Sequence, residues 1–255
     1  MRSIHWPRQL IIVRHGQSAG NVARDAATQS AIDRIPLSER DADVPLSEAG
    51  RRQATALGHW FASGREEDRP EVLLSSPYRR TCQTAELFRA AGGCAPDIPI
   101  CFDERLREKE FGILDGLTVT GIRNLQPEQA ALRQLLGKFY HRPPGGESWC
   151  DVILRLRSVL DTIALHHADR RVILFTHQVV VLCMRYIIEG MTEAEILAID
   201  RAQDVANCAI TDYRLDSEGG DGGALVLHRY NVTAPMREEA APVTRAPDAI
   251  QGVRG

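Results

Sequence analysis

The stretch "LIIVRHGQSAGN", Leu10 to Asn21, decides how the 255-residue chain is read. Leu10, Ile11, Ile12 and Val13 form an apolar run that reads as a strand buried on both faces. The run stops abruptly at Arg14, His15 and Gly16, so a buried strand delivers two basic side chains to one edge. Strands of this kind belong to parallel sheets covered by helices, and ligands of such sheets sit beyond the carboxyl ends of the strands.

Similar segments lie further along. Val72 to Leu74 reads as a short strand running into "SSP", Ile98 to Phe102 as a weaker one, and "RRVILFTH", Arg170 to His177, as the clearest. Helical patterns separate them. "LSEAGRRQATALGHWFAS" offers Ser47 as N-cap, and "SPYRRTCQTAELFRAAGG" offers Ser76 as N-cap, Pro77 at the first helical position and Gly92 as a stop. "SWCDVILRLRSVLDTIALHH" offers Ser148 as N-cap and lines Val152, Leu156, Val159, Leu160 and Ile163 along one face. "NCAITDYRLD" and "ALVLHRYNV" flank the turn "SEGGDGG" and read as a hairpin at one end of the sheet. The expected fold class is α/β: a three-layer α/β/α sandwich on a mostly parallel sheet with an antiparallel edge. One domain is expected over residues 1–231, with a tail over 232–255. Residues 24–45 read as a long polar loop, and residues 118–142, helical from Leu125 to Phe139, as an insert over the site.

Composition narrows the function. Apolar residues are 44% and charged residues 25%, ordinary for a globular protein. Lys plus Arg total 31 against 34 Asp plus Glu, which argues against a nucleic-acid partner. No apolar run approaches the ~20 residues of a membrane span, and the first residues lack a secretory cleavage pattern. The six cysteines are scattered without a C-x-x-C pair, so they read as reduced thiols of a cytoplasmic protein, with no metal-ligand spacing. The oligomeric state is not coded in the sequence.

Three strand exits converge on one rim. The first brings Arg14 and His15, "FTHQ" brings His177, and "SSPYRRTCQT" brings Arg79 and Arg80 in the first turn of the next helix. Arginines there oppose the helix dipole, so helix stability does not account for them. Together these groups make a cradle for an oxyanion, and phosphate is the obvious guest.

Four segments in order also resemble the histidine phosphatase superfamily, the phosphoglycerate-mutase-like enzymes. "RHGQSAGN" resembles its R-H-G-x-[ST]-x-x-N signature, and "SSPYRRTCQTA" its S-S-P-L-x-R-A-x-Q-T-A segment, which aligns Arg80 rather than Arg79. "LREKEFGILDG" is similar to the L-x-E-x-x-x-G-x-x-x-G segment and aligns Glu108, with Glu110 a nearby competitor, while "FTHQVVV" matches the second histidine segment at His177. The resemblance implies a phosphohistidine at His15, charge stabilisation by Arg14, Arg80 and His177, and Glu108 as acid and base with a raised pKa. It implies substrate contacts from Gln17, Asn21 and Gln178 as well, and no metal or other cofactor. The partner is then a small phosphorylated molecule.

The family contains both phosphatases and mutases. After His177 the run "QVVVLCMRY" is apolar where cofactor-dependent mutases typically carry G-N-S and a basic residue. That resembles phosphatases, fructose-2,6-bisphosphatase domains in particular, as does "PPGGESWCD" before a similar helix. Lys138 falls where that branch has a substrate lysine, but Leu182 stands where it has an arginine, with Arg185 one turn further on. The expectation is a phosphatase acting on a sugar phosphate or another small phosphate monoester, with a phosphoglycerate-mutase-type phosphotransferase as the alternative.

Overall fold

The computed structural model describes residues 5–218 and 223–245. A six-stranded sheet forms its centre: β1 (Gln9–Arg14), β2 (Val72–Ser75), β3 (Ile100–Phe102), β4 (Arg171–Thr176), β5 (Ile210–Asp216) and β6 (Ala224–Val232). The order is β3-β2-β4-β1-β5-β6; the first four run parallel, and β5 and β6 are antiparallel. The α/β sandwich with an antiparallel edge is therefore present. The hairpin turn falls largely on residues 219–222, outside the described residues.

Alternate side chains of the central strands feed two cores. Leu10 and Ile12 of β1, with Val172 and Leu174 of β4, pack against α6 (Trp149–His166) and α7 (Gln178–Ile188). Ile11, Val13, Ile173 and Phe175 face the other way, onto Leu57 and Phe61 of α2 (Glu48–Ser63) and Phe88 of α3 (Arg79–Ala90). Both faces of β1 are thus dry, and each such side chain contributes about 1.5–3 kcal/mol of burial. That is why the run from Leu10 to Val13 shows no alternation of apolar and polar residues.

Two expectations are corrected. The polar segment 24–45 is not all loop, because α1 (Ala19–Gln29) carries its first turns. A capping box starts that helix: Ser18 Oγ accepts from Asn21 N, and Asn21 Oδ1 accepts from Ser18 N at 2.9 Å. The helix α3 does not begin at Ser76 and Pro77. Tyr78 holds the N-cap position, so Arg79 and Arg80 are the first two helical residues. Ser76 is drawn elsewhere, its hydroxyl lying 2.9 Å from Nε2 of His177. Ser47 and Ser148 do cap α2 and α6.

The insert is two helices, α4 (Val119–Leu125) and α5 (Pro127–Tyr140). After α8 (Glu193–Ala202) and the hairpin comes α9 (Ala234–Glu238). Met236 of α9 packs with Leu46, Ala54 and Cys208, and Thr244 Oγ1 donates to Asn207 Oδ1 at 2.9 Å. This part of the tail is held by contact; residues 246–255 lie outside the described residues. No helix among the described residues is long and apolar enough to cross a membrane.

Candidate active site

The carboxyl ends of β1 and β4 lie side by side, Arg14 opposite Thr176. The next residue of each strand is therefore a histidine at the same edge. His15 N donates to Thr176 O at 2.9 Å, and the rings of His15 and His177 meet edge to face, 5.2 Å between centroids. The turn past His15 is tight. A Cβ on Gly16 would lie 2.5 Å from the carbonyl oxygen of Gly50, so the start of α2 can press against the site only with glycine there.

His15 is fully buried. Its Nδ1 lies 2.6 Å from the carbonyl oxygen of Gly16, which can only accept, so Nδ1 carries the proton. Nε2 is left with its lone pair, and Arg80 Nε–H donates to it at 3.2 Å. Both bonds require the same neutral tautomer. Asn207 Nδ2 donates to the His15 carbonyl at 3.0 Å and fixes the backbone from behind.

Arg80 and Arg79 separate cleanly. Arg80 is buried and turned to His15, whereas Arg79 is exposed on the outer side of the same turn. Arg80→Ala is expected to cost on the order of 3 kcal/mol in kcat/KM, the loss of one oxyanion donor, and Arg79→Ala far less. Steady-state kinetics on one monoester checks both. Arg14 is also fully buried, and its Nη1 donates to the carbonyl of Val205.

Glu108 is buried while Glu110 is half-buried. Glu108 Oε1 accepts from Lys109 N at 2.7 Å, and Oε2 faces Val179 N at 3.4 Å, at the N-terminus of α7 two residues past His177. The segment carrying it is pinned from below. Glu147 accepts from Arg107, from Arg155 and from Glu110 N, while Arg155 donates to the carbonyls of Arg105 and Glu108. The "GGES" run thus has a definite use: Glu147 holds the strand-like segment that presents Glu108.

The remaining candidates have local partners at the rim. Gln17 Oε1 accepts from Ser47 Oγ at 2.8 Å, Asn21 closes the capping box, and Gln178 Nε2 donates to Asp204 at 2.9 Å. A cleft of about 200 Å³ opens beside Arg80 between α1 and the loop that follows it, lined by Ser18, Asn21, Arg24, Asp41 and Asp115 among others. On the α5 side lie Lys109, Arg133 and Lys138. Burial, then the neighbouring Arg133, pushes Lys109 down to about 8, and burial lowers Arg133. Lys138 pairs with Asp200. Arg185 is taken by Glu189, at 2.7 and 2.9 Å, and stacks on Tyr230.

Sequence reading missed Ser76, Asp41, Tyr78 and Asn207. Each meets a partner far along the chain, Ser76 and Tyr78 at His177, Asp41 at Arg80 and Asn207 at His15, so no local pattern marks it. Tyr78 meets the His177 ring edge-on, 5.1 Å between centroids, and Arg80 lies over its face at 5.0 Å.

Two histidines at adjoining strand ends, with Arg14, Arg80 and a buried carboxylate close by, make a basic pocket suited to an oxyanion. The chain belongs to the histidine phosphatase superfamily (branch 1), whose family model matches residues 10–226. It is 30% identical over 231 residues to a 6-phosphofructo-2-kinase/fructose-2,6-bisphosphatase of Caenorhabditis elegans, covering 87% of this chain but only 45% of that protein. It is 28% identical to a probable phosphoglycerate mutase GpmB of Proteus mirabilis, covering 81% of this chain and 85% of the relative. A mycobacterial glucosyl-3-phosphoglycerate phosphatase shares the fold, with a TM-score of 0.65 at 24% identity over 89% of this chain and all of that one.

Proposed function

We propose that the chain is a phosphatase that hydrolyses a small-molecule phosphate monoester through a phosphohistidine at His15. The observation that carries this reading is the state of His15: Nδ1–H held by Gly16 O and the Nε2 lone pair aimed at the Arg80 side. A nucleophile needs that lone pair, and the fixed tautomer supplies it without a base. The reaction runs in two steps. Nε2 attacks phosphorus and forms an N–P bond as the ester P–O bond breaks, and Glu108 gives its proton to the leaving oxygen. Water then attacks the phosphohistidine, Glu108 takes back a proton, and Nε2 leaves with its lone pair. Arg14, Arg80 and His177 surround the equatorial oxygens and stabilise the charge on them in both transition states.

Hydrolysis is favoured over transfer by the first turn of α7. Val179, Val180 and Val181 are buried in the core, so after Gln178, whose amide is bonded to Asp204, that turn offers only apolar side chains where a second acidic substrate would need a grip. One observation favours the mutase alternative: Arg133 is near enough to Lys109, the neighbour of Glu108 in sequence, to lower it, and two such cations suit a second anionic group. The test is a comparison of rates. Free phosphate is expected from a good monoester, undiminished by EDTA, with little 2-phosphoglycerate formed from 3-phosphoglycerate and a trace of the bisphosphate. Isomerisation faster than phosphate release would instead establish the mutase.

A further inference from the structure

We propose that Asp41 is a positioning residue for the phosphoryl-transfer step: it clamps the outer edge of Arg80 so that the inner edge meets the phosphoryl group on His15. The proposal rests on the phosphohistidine reading of the site.

Asp41 begins a single 3-10 turn, Asp41–Asp43, in the loop between α1 and α2. Arg80 Nη2 donates to Asp41 Oδ2 at 3.0 Å, and Arg80 Nη1 donates to the Asp41 backbone carbonyl at 2.5 Å. The arginine side chain is 3% exposed and the aspartate 40%. The carboxylate therefore approaches from the solvent side, onto a guanidinium that is otherwise enclosed.

Which edge it takes decides its role. A guanidinium presents parallel N–H pairs at a side-on edge, Nε with Nη2, and at an end-on edge, Nη1 with Nη2. Two other arginines give carboxylates the side-on edge: Arg155 to Glu147, and Arg185 to Glu189. Asp41 takes the end-on edge instead. The side-on edge of Arg80 is the one turned to His15, where Nε lies 3.2 Å from Nε2. A carboxylate spanning both Nε and Nη2, as on Arg155 and Arg185, would cover that inner edge. Asp41 holds the adjoining end-on edge, its backbone carbonyl on Nη1 and its carboxylate on Nη2, and fixes the rotation of the planar group while Nε stays turned to His15.

The turn that carries Asp41 is itself anchored to the site. Leu46 N donates to Gln83 Oε1 on α3 at 2.8 Å, Ser47 N donates to Gln17 O, and Ala19 N donates to Pro45 O. Three bonds thus tie the end of the loop to the helix of Arg80 and to the segment after His15. Outside, Arg40 closes the turn by bonding Asp43.

The test is a double-mutant cycle read in two ways, by kcat and KM on p-nitrophenyl phosphate and by calorimetric binding of vanadate. Asp41→Ala is expected to lower kcat about tenfold with little change in KM, and to weaken vanadate about tenfold, the loss of a hydrogen bond to a charged group. Asp41→Asn keeps an acceptor on Nη2 and the same backbone carbonyl, so it should stay within about threefold of the parent. In an Arg80→Ala background, Asp41→Ala should change nothing further, because there is no guanidinium left to orient. Additive losses would make Asp41 a loop-stability residue and overturn the proposal. So would tighter vanadate binding in Asp41→Ala, the mark of a competitor, or an Asp41→Asn loss as large as that of alanine. A parent protein that binds vanadate yet releases phosphate from no monoester would overturn the hydrolase reading, while the binding cycle would still decide the role of Asp41.

Discussion

His15→Ala is expected to abolish turnover, and rapid quenching of the parent protein should trap one acid-labile, base-stable phosphate on His15. The expectation follows from what surrounds the ring. His15 is fully buried, and its proton is committed to Gly16 O. No neighbour can replace it. His177 has Nε2 at Ser76, 2.9 Å away. The hydroxyl of Ser18, the nearest alcohol in the signature, donates to Asn21 Oδ1 and accepts from Asn21 N at the head of α1. With the nucleophile gone, only transition-state charge stabilisation remains, and for residues acting as a unit the loss of one costs about as much as the loss of all. The measurement is peptide mapping of protein quenched at steady state with a labelled monoester. A label on Ser18, or the absence of any covalent phosphate, would refute the nucleophile assignment.

The parts of this site that were legible in the sequence are those that local chemistry forces. Arg14 and His15 follow four apolar residues, and His177 follows five residues of β4 that are buried, so their delivery to one edge needed no contact map. The choice between Arg79 and Arg80 came from resemblance alone, and one turn of helix explains it: the two side chains point about 100° apart, one inward and one to solvent. What escaped was long-range. Ser76 has the composition of an N-cap, yet a histidine 101 residues away claims its hydroxyl and the helix starts later. Asn21 looked like a substrate contact, and its carboxamide oxygen is also what starts α1 inside a stretch that reads as loop. Asp41 sits in a segment with no periodicity, and only its partner 39 residues on gives it meaning. Propensity describes what a residue does next to its neighbours in sequence, and each of these answers to a neighbour in space.

Glu108→Gln should separate proton transfer from phosphate binding, and the size of the effect should depend on the leaving group. Glu108 is buried, and its two oxygens accept from Lys109 N and Val179 N. Glutamine preserves the volume and one of those acceptors, so the segment held by Glu147 and Arg155 stays in place. It has no proton to give. With an alkyl monoester, whose alkoxide is a poor leaving group, kcat is expected to fall by about 10²–10⁴, the usual contribution of a general acid. With p-nitrophenyl phosphate the departing phenolate hardly needs protonation, and the first step should slow by less than about tenfold. The second step still needs a base for water, so steady state should become limited by hydrolysis and phosphohistidine should accumulate on that substrate. A burst of p-nitrophenol equal to the enzyme concentration, followed by slow turnover, is the signature. Equal losses on both substrates without a burst would make Glu108 a positioning group for phosphate, and the proton would then have to come from Glu110, whose backbone is fixed by the same Glu147.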